Sequence, residues 1–362
     1  MNDATHYMTS FRYGPWVKEA VGEKIVRQLK GKRILLTGAL GFLGRNFLDF
    51  FVHLLEEDAN YCQLFALDVS GLLSYHLPLP TKTKERITLL EQDLLDESKL
   101  LPTVDYIIHA ASIASPVHYR ERPLDTLKVN AWGCQRLLDH VMDTNPACRM
   151  VYISSSEVYG DPVSEAIPTP ESYWGRVSFT GPRACYDESK RFAETLCTLY
   201  AQEHGAQVCS VRPFNVYGPG LSPEDGRVIS DFMRDCITQS RIELFSDGSP
   251  TRTFCFVADG IQGIVKALAE GGPGEAYNIG QEKPEISMLQ LAHTIANLAK
   301  EKHGTDIAVS HKFHKDKAYL TDNPQRRCPD LTKAAKELNY IPQWDLAKGL
   351  NETYDYYYAL LK

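Results

Sequence analysis

The chain contains no stretch of the ~20 consecutive apolar residues that a membrane-spanning helix needs. Its nine cysteines include no C-x-x-C pair, and nine is an odd number. That pattern speaks against a disulfide frame or a structural zinc site. It favours reduced thiols in a cytoplasmic protein that needs no metal. Basic residues are not in excess, since 39 Lys and Arg face 46 Asp and Glu for a formal net charge of −7. A general partner role for nucleic acid or a membrane surface is therefore not expected. The opening stretch MNDATHYMTSFRYGPW lacks the basic-then-apolar layout of a secretion signal. No internal repeat and no low-complexity segment is present.

What remains is a 362-residue chain, 43% hydrophobic and 23% charged, which suits one large domain or two interlocked ones. Residues 1–30 read as an extension with an amphipathic helix over 17–29 that covers a sheet edge or meets a partner subunit. From Arg33 strands and helices alternate. RILLTG, QLFALD, ITLLEQ, VDYIIHAAS, RMVYISS and QVCSVRP are strand patterns, separated by helical segments. This alternation predicts a doubly wound parallel α/β sheet with its chemistry at the strand carboxyl ends. The expected organisation is a dinucleotide-binding domain over 31–215 and a smaller mixed α/β substrate domain over 216–362, interleaved with the first. HKFHKDK at 311–317 reads as a solvated loop.

Gly38, Gly41 and Gly44 fall between a strand and a helix, the context in which a glycine-rich turn cradles a pyrophosphate. Asp68 ends the next strand, about where an acid holds the adenosine ribose hydroxyls. An acid there repels a 2′-phosphate, so NAD is expected rather than NADP. Asp93 is placed to hold an adenine edge, and the small Ala110, Ala111 and Ser112 let a cofactor cross their strand end. Tyr186 and Lys190, four apart on one helix face, form a proton-accepting pair. An ammonium one turn away favours the phenolate, whose unperturbed pKa is near ~10. Cys185 reads as a packing residue.

These motifs, with HAASIASPVHY, SSSEVYGDP and PESYWGRVSFTGPRACYDESKR, resemble the extended short-chain dehydrogenase/reductase family over nearly all of Arg33 to Leu361. The likeness is sharpest to its nucleotide-sugar branch and to UDP-glucuronate decarboxylases (UDP-xylose synthases). It implies oxidation at C4, loss of C6 as CO₂ and possible re-reduction to UDP-xylose. Tyr186 would take the C4 proton, with Lys190 on the nicotinamide ribose and Ser155 orienting the C4 oxygen. Ser156 and Glu157 would steer the ring and the return of a proton at C5. Arg327 would act as an acid, a carboxylate clamp or a diphosphate ligand. Arg183 would hold a sugar carboxylate or carbonyl, cap a helix or bind phosphate. Arg227, Arg252 and Asn215 are expected on the diphosphate or nucleotide, and Tyr119 on the substrate. Phe42, Leu43, Leu94, Lys128, Asn130 and Pro213 complete the expected cofactor site. The family also implies a homodimer built on a four-helix bundle.

Other reactions of the family stay open at this point: a 4-epimerase, or a 4,6-dehydratase, which carries an acid where Ser156 stands. A catalytically idle NAD-binding regulator is the reading from another class. The chain departs from the decarboxylase pattern at Ser155, at Cys328 and in the FNVYGPG loop.

Overall fold

The structure is a computed structural model, and it describes residues 13–69, 79–312, 321 and 323–362. Most of the 311–317 patch and residues 1–12 of the extension lie outside these described residues.

Seven parallel strands form the central sheet: β1 (Arg33–Thr37), β2 (Gln63–Asp68), β3 (Ile87–Glu91), β4 (Tyr106–His109), β5 (Arg149–Ile153), β6 (Gln207–Pro213) and β7 (Ala276–Ile279). Their order is β7-β6-β5-β4-β1-β2-β3. The order reverses between β1 and β4, and an open α/β sheet binds its ligand at such a switch point. The strands are apolar on both faces because both faces are covered. Ile34 and Leu36 point into one core with Leu64, Ala66 and Ile108. Leu35, one residue out of phase, points into the other with Leu67, Ile107 and Met150.

The helices are α1 (Gly14–Val21), α2 (Glu23–Leu29), α3 (Phe42–Glu57), α4 (Pro116–Glu121), α5 (Pro123–Thr144), α6 (Ala184–His204), α7 (Val228–Gln239), α8 (Val257–Glu270), α9 (Met288–His303), α10 (Thr332–Leu338) and α11 (Leu346–Leu361). α5 and α6 cover one face of the sheet, while α3 and α8 cover the other. α8 is buried on every side, from Val257 to Ala269. Its polar stripe of Asp259, Gln262 and Lys266 is spent on the backbone between Asn339 and Trp344, and its wide apolar face, turned partly away from the sheet, needs a second cover. α1 and α2 supply it.

The extension thus differs from expectation. It forms two helices, broken at Gly22 (φ 84°), and they lie on α3 and α8 rather than on a sheet edge. Asp49 of α3 accepts the Tyr13 and Gly14 amides at 2.7 and 2.8 Å, tying down the start of α1. The Tyr13 ring meets Phe256 and Trp344 edge-on at 5.2 and 5.6 Å. Among the described residues no helix is long and apolar enough to cross a membrane.

Candidate active site

A cavity of about 1010 Å³ opens over the carboxyl ends of β1, β4, β5 and β6. One wall is the glycine turn, where Gly38, Gly41, Phe42, Leu43 and Gly44 line the cavity. Gly38 has φ 69°, and a Cβ on Gly44 would stand 2.1 Å from the Gly38 carbonyl oxygen. Only glycine lets α3 begin so close to β1. Asp68 Oδ2 accepts the Leu40 amide at 2.9 Å, which fixes an acid at the end of β2 beside the turn. Ala110 and Ser112 continue this wall, and Pro213 lines the far side. A backbone cradle at a helix N-terminus followed by a fixed acid fits a dinucleotide.

The other expected cofactor residues lie elsewhere. Ala111 is engaged through its backbone, its amide donating to Thr37 Oγ1 at 3.2 Å. Asp93 is exposed beyond the end of β3, and its Oδ1 accepts the Leu95 amide at 2.8 Å. Leu94 is core, packed toward Gly133. Lys128 is exposed on α5. Asn130 is buried and donates to Ser189 Oγ at 2.9 Å, joining α5 to α6. Their spacing reaches the right elements, but none of these five residues is among those that line the cavity.

On α6, Tyr186 and Lys190 both face the cavity. Lys190 Nζ donates to the Ile153 carbonyl at 2.8 Å and stands 5.7 Å from the Tyr186 ring centre. Burial drives the ammonium down to about 7. Burial also pushes the Tyr186 phenol up to about 12, against the pull of a Ser155 hydrogen bond and the Arg227 charge. Sequence reasoning assigned the lowering to Lys190. In the fold desolvation of both groups outweighs that pair, and Ser155 and Arg227 are the groups that favour the phenolate. Ser156 is buried at the same strand end and also lines the cavity.

The opposite wall is built from charge. Glu157 Oε2 receives Arg183 Nη2 and Arg327 Nη2, each at 2.8 Å. Burial alone would raise this carboxyl, but the two guanidiniums overcome that and hold it at about 2. Arg327 reaches the site because 326–327 pairs in parallel with 251–252, which sets it directly beside Arg252. Arg252 is held by the Thr251 and Gln325 carbonyls at 2.8 and 3.1 Å and by Asn323 Oδ1 at 3.2 Å. Burial and the neighbouring Arg327 lower it to about 9. Asn215 departs from its expected use. Its Nδ2 donates to the Thr253 carbonyl at 2.8 Å and its Oδ1 accepts from Arg327 at 3.2 Å, so it braces an arginine. Arg227 also lines the cavity and pairs with Asp225 at 2.6 Å.

Two groups escaped the sequence reading. His109 is buried, bonds Thr37 Oγ1 at 2.8 Å, and is held neutral, at about 3, by burial and by Lys190. Asp187 is buried 3.9 Å from Arg183 Nε, and burial with the Glu157 charge pushes it up to about 8. Both sit inside quoted motifs, but only tertiary burial gives them altered protonation.

A family model described as "NAD dependent epimerase/dehydratase family" matches residues 34–280. The chain belongs to that family. It is 36% identical over 321 residues to "UDP-glucuronic acid decarboxylase 1" of Arabidopsis thaliana, covering 89% of this chain and 68% of the relative. It is 34% identical over 337 residues to the protein of the same name from Xenopus tropicalis, covering 92% and 74%. Among solved structures, dTDP-glucose 4,6-dehydratase from Streptomyces venezuelae with NAD bound is similar at a TM-score of 0.74 and 25% identity, covering 90% of this chain and 96% of that one. For this member of the epimerase/dehydratase family NAD is the cofactor, and the glycine turn, Asp68 and Lys190 are the residues that fit it.

Proposed function

We propose that this chain decarboxylates UDP-glucuronate, with C4 oxidised first and C6 leaving as CO₂. The observation that carries the reading is the wall opposite the glycine turn. Two guanidiniums (Arg183 and Arg327) hold one carboxylate, Glu157, and a third, Arg252, lies beside Arg327, leaving an excess of positive charge beside Tyr186. A hexuronate brings the second carboxylate such a wall lacks, whereas a neutral hexose does not. The names of the curated relatives support the same substrate.

NAD supplies a hydride acceptor when bound. The chain's own residues do the rest. Tyr186, as the phenolate that Ser155 and Arg227 favour, takes the proton of the C4 hydroxyl, and Ser155 orients the C4 oxygen. The arginine wall orients the C6 carboxylate, which is β to the new ketone, so the C5–C6 bonding pair can pass into an enolate as CO₂ departs. A redox-neutral product follows if the ketone is reduced again before release.

The same reading includes a dimer. Leu124 and Trp132 on α5 are 71% and 53% exposed, and Phe192 and Leu199 on α6 are 52% and 42% exposed. Each pair is seven or eight residues apart and therefore shares a helix face. α5 and α6 from two copies would cover these side chains as a four-helix bundle. Nine free thiols support a reducing compartment such as the cytoplasm.

The test is purified protein with UDP-glucuronate, following CO₂ and product mass with and without added NAD. A product lighter by CO₂ is expected. Unchanged mass with an inverted C4, or water lost from UDP-glucose without any CO₂ from UDP-glucuronate, would overturn the reading.

A further inference from the structure

Loss of CO₂ leaves an electron pair on the C4–C5 enolate, and a proton must then be added at C5. The residues nearest the reaction are poorly suited to give it. Glu157 shares one oxygen between two guanidiniums at 2.8 Å each and carries no proton. Arg183 and Arg327 are locked on that carboxylate and give up their protons too reluctantly to serve, and Arg252 is held by backbone carbonyls and by Asn323. The Ser155 hydroxyl is engaged with Tyr186 and with the Glu157 amide at 3.2 Å.

Tyr119 is different. It is 1% exposed, it lines the cavity, and its hydroxyl has no hydrogen-bond partner. A buried polar group without a partner is costly, so an unpaired phenol in a cavity wall suggests a role with a bound molecule. Its ring stacks on that of Tyr186, with centres 5.1 Å apart and planes at 16°. The ring is held from several sides. Ser115 starts α4 by accepting the His118 amide at 3.5 Å and donates to the Asp225 carbonyl at 2.7 Å. Cys185 Sγ bonds the Tyr119 carbonyl at 3.4 Å. The Arg183 guanidinium lies 5.8 Å from the ring centre.

The geometry points to Tyr119 as the proton donor to C5 of the sugar, a role that rests on the decarboxylation reading above. C4 and C5 are neighbours in a pyranose. A phenol at the C4 oxygen and a second phenol stacked beside it therefore serve adjacent atoms. In the step, the Tyr119 O–H bond breaks and a C5–H bond forms, while the enolate pair closes the C4 carbonyl again. The phenolate left behind faces Arg183 and regains a proton from water when the cavity exchanges product. Burial raises this phenol above its ordinary value, so it keeps its proton until a base as strong as an enolate appears.

The variant is Tyr119→Phe, which removes only the unpartnered hydroxyl, and a melting curve within a few degrees of the parent's confirms folding. In D₂O with NAD and UDP-glucuronate, the variant should form reduced cofactor at the parent's rate. Its rate of deuterium entry at C5 should fall about 10²- to 10⁴-fold, the usual worth of a positioned acid. Offered UDP-xylose and NAD in D₂O, the parent should exchange C5 hydrogen and the variant should not. Parental C5 deuteration in Tyr119→Phe would overturn the inference. So would a fall in cofactor reduction as large as the fall in C5 deuteration, which would make Tyr119 a positioning residue for Tyr186. Failure of the parent to release CO₂ would instead sink the reading on which the inference rests.

Discussion

The two walls of the cavity are made of different material. The wall at the glycine turn is backbone, set within a short contiguous stretch from Thr37 to Gly44 and braced by Asp68. The opposite wall is side-chain charge, assembled from positions 157, 183, 252 and 327, which meet only after the smaller elements fold over the sheet. A locally encoded wall serves a cofactor that many enzymes share. A wall gathered from distant positions can be changed one residue at a time, which suits the part that chooses the sugar and the fate of its C6 group.

The comparison can be broken most severely where the walls meet. Tyr186→Phe should lower turnover on the order of 10³-fold or more, in line with loss of a general base, with NAD affinity held within about twofold. Steady-state rates beside a cofactor titration check this. Next comes the charged wall. Glu157→Gln leaves Arg183 and Arg327 without their shared carboxylate, and breaking such a buried pair costs about 3 kcal/mol or more. Melting temperature and decarboxylation should both drop while NAD still binds. Parental stability would show that the arginines are not held by Glu157.

The backbone wall answers to Gly44→Ala. The added carbon meets the Gly38 carbonyl at 2.1 Å, and overpacking of this sort costs on the order of 1–3 kcal/mol. NAD binding should weaken in a titration, while the charged wall is left intact. The most gradual effect concerns Asp187. Its folded value of about 8 lies above that of an ordinary carboxyl near ~3.9. The folded chain therefore keeps a proton that the unfolded chain has released. This contribution to stability is complete below the unfolded value and is lost as pH rises through about 8. Asp187→Asn has no such proton, so its unfolding free energy relative to the parent should rise steadily from pH 5 to 8, by at most about 1.4 kcal/mol per pH unit, as followed by denaturant melts. A flat difference would mean that Asp187 is ionised throughout.

The same contrast explains what could be read from the sequence. The strand and helix patterns, the glycine turn and the Tyr186–Lys190 pair are legible because each depends on neighbours a few residues away, and Asp68 because it ends the strand that follows the turn and its helix. The arginines could be named as candidates, but not their arrangement. Nothing before folding shows that Arg252 and Arg327 lie in strand register, or that Asn215 spends its amide on Thr253 and Arg327. Desolvation was harder still to foresee. It reverses the balance at Tyr186, and it depends on how tightly α4, α6 and β5 close together. The extension was legible as helix but not as the outer cover of α8, because that need arises only once α8 is seen to be buried all round.

The account rests on a positive wall that holds the sugar carboxylate until it leaves. The most direct measurement follows UDP-glucuronate labelled at its carboxyl carbon, in the parent and in Arg327→Met, with UDP-glucose as the neutral comparison. The label should appear as CO₂ with the parent, and at least tenfold more slowly with Arg327→Met, while UDP-glucose yields neither CO₂ nor dehydrated product. Label retained in the sugar, or equal handling of UDP-glucose and UDP-glucuronate, would contradict the account.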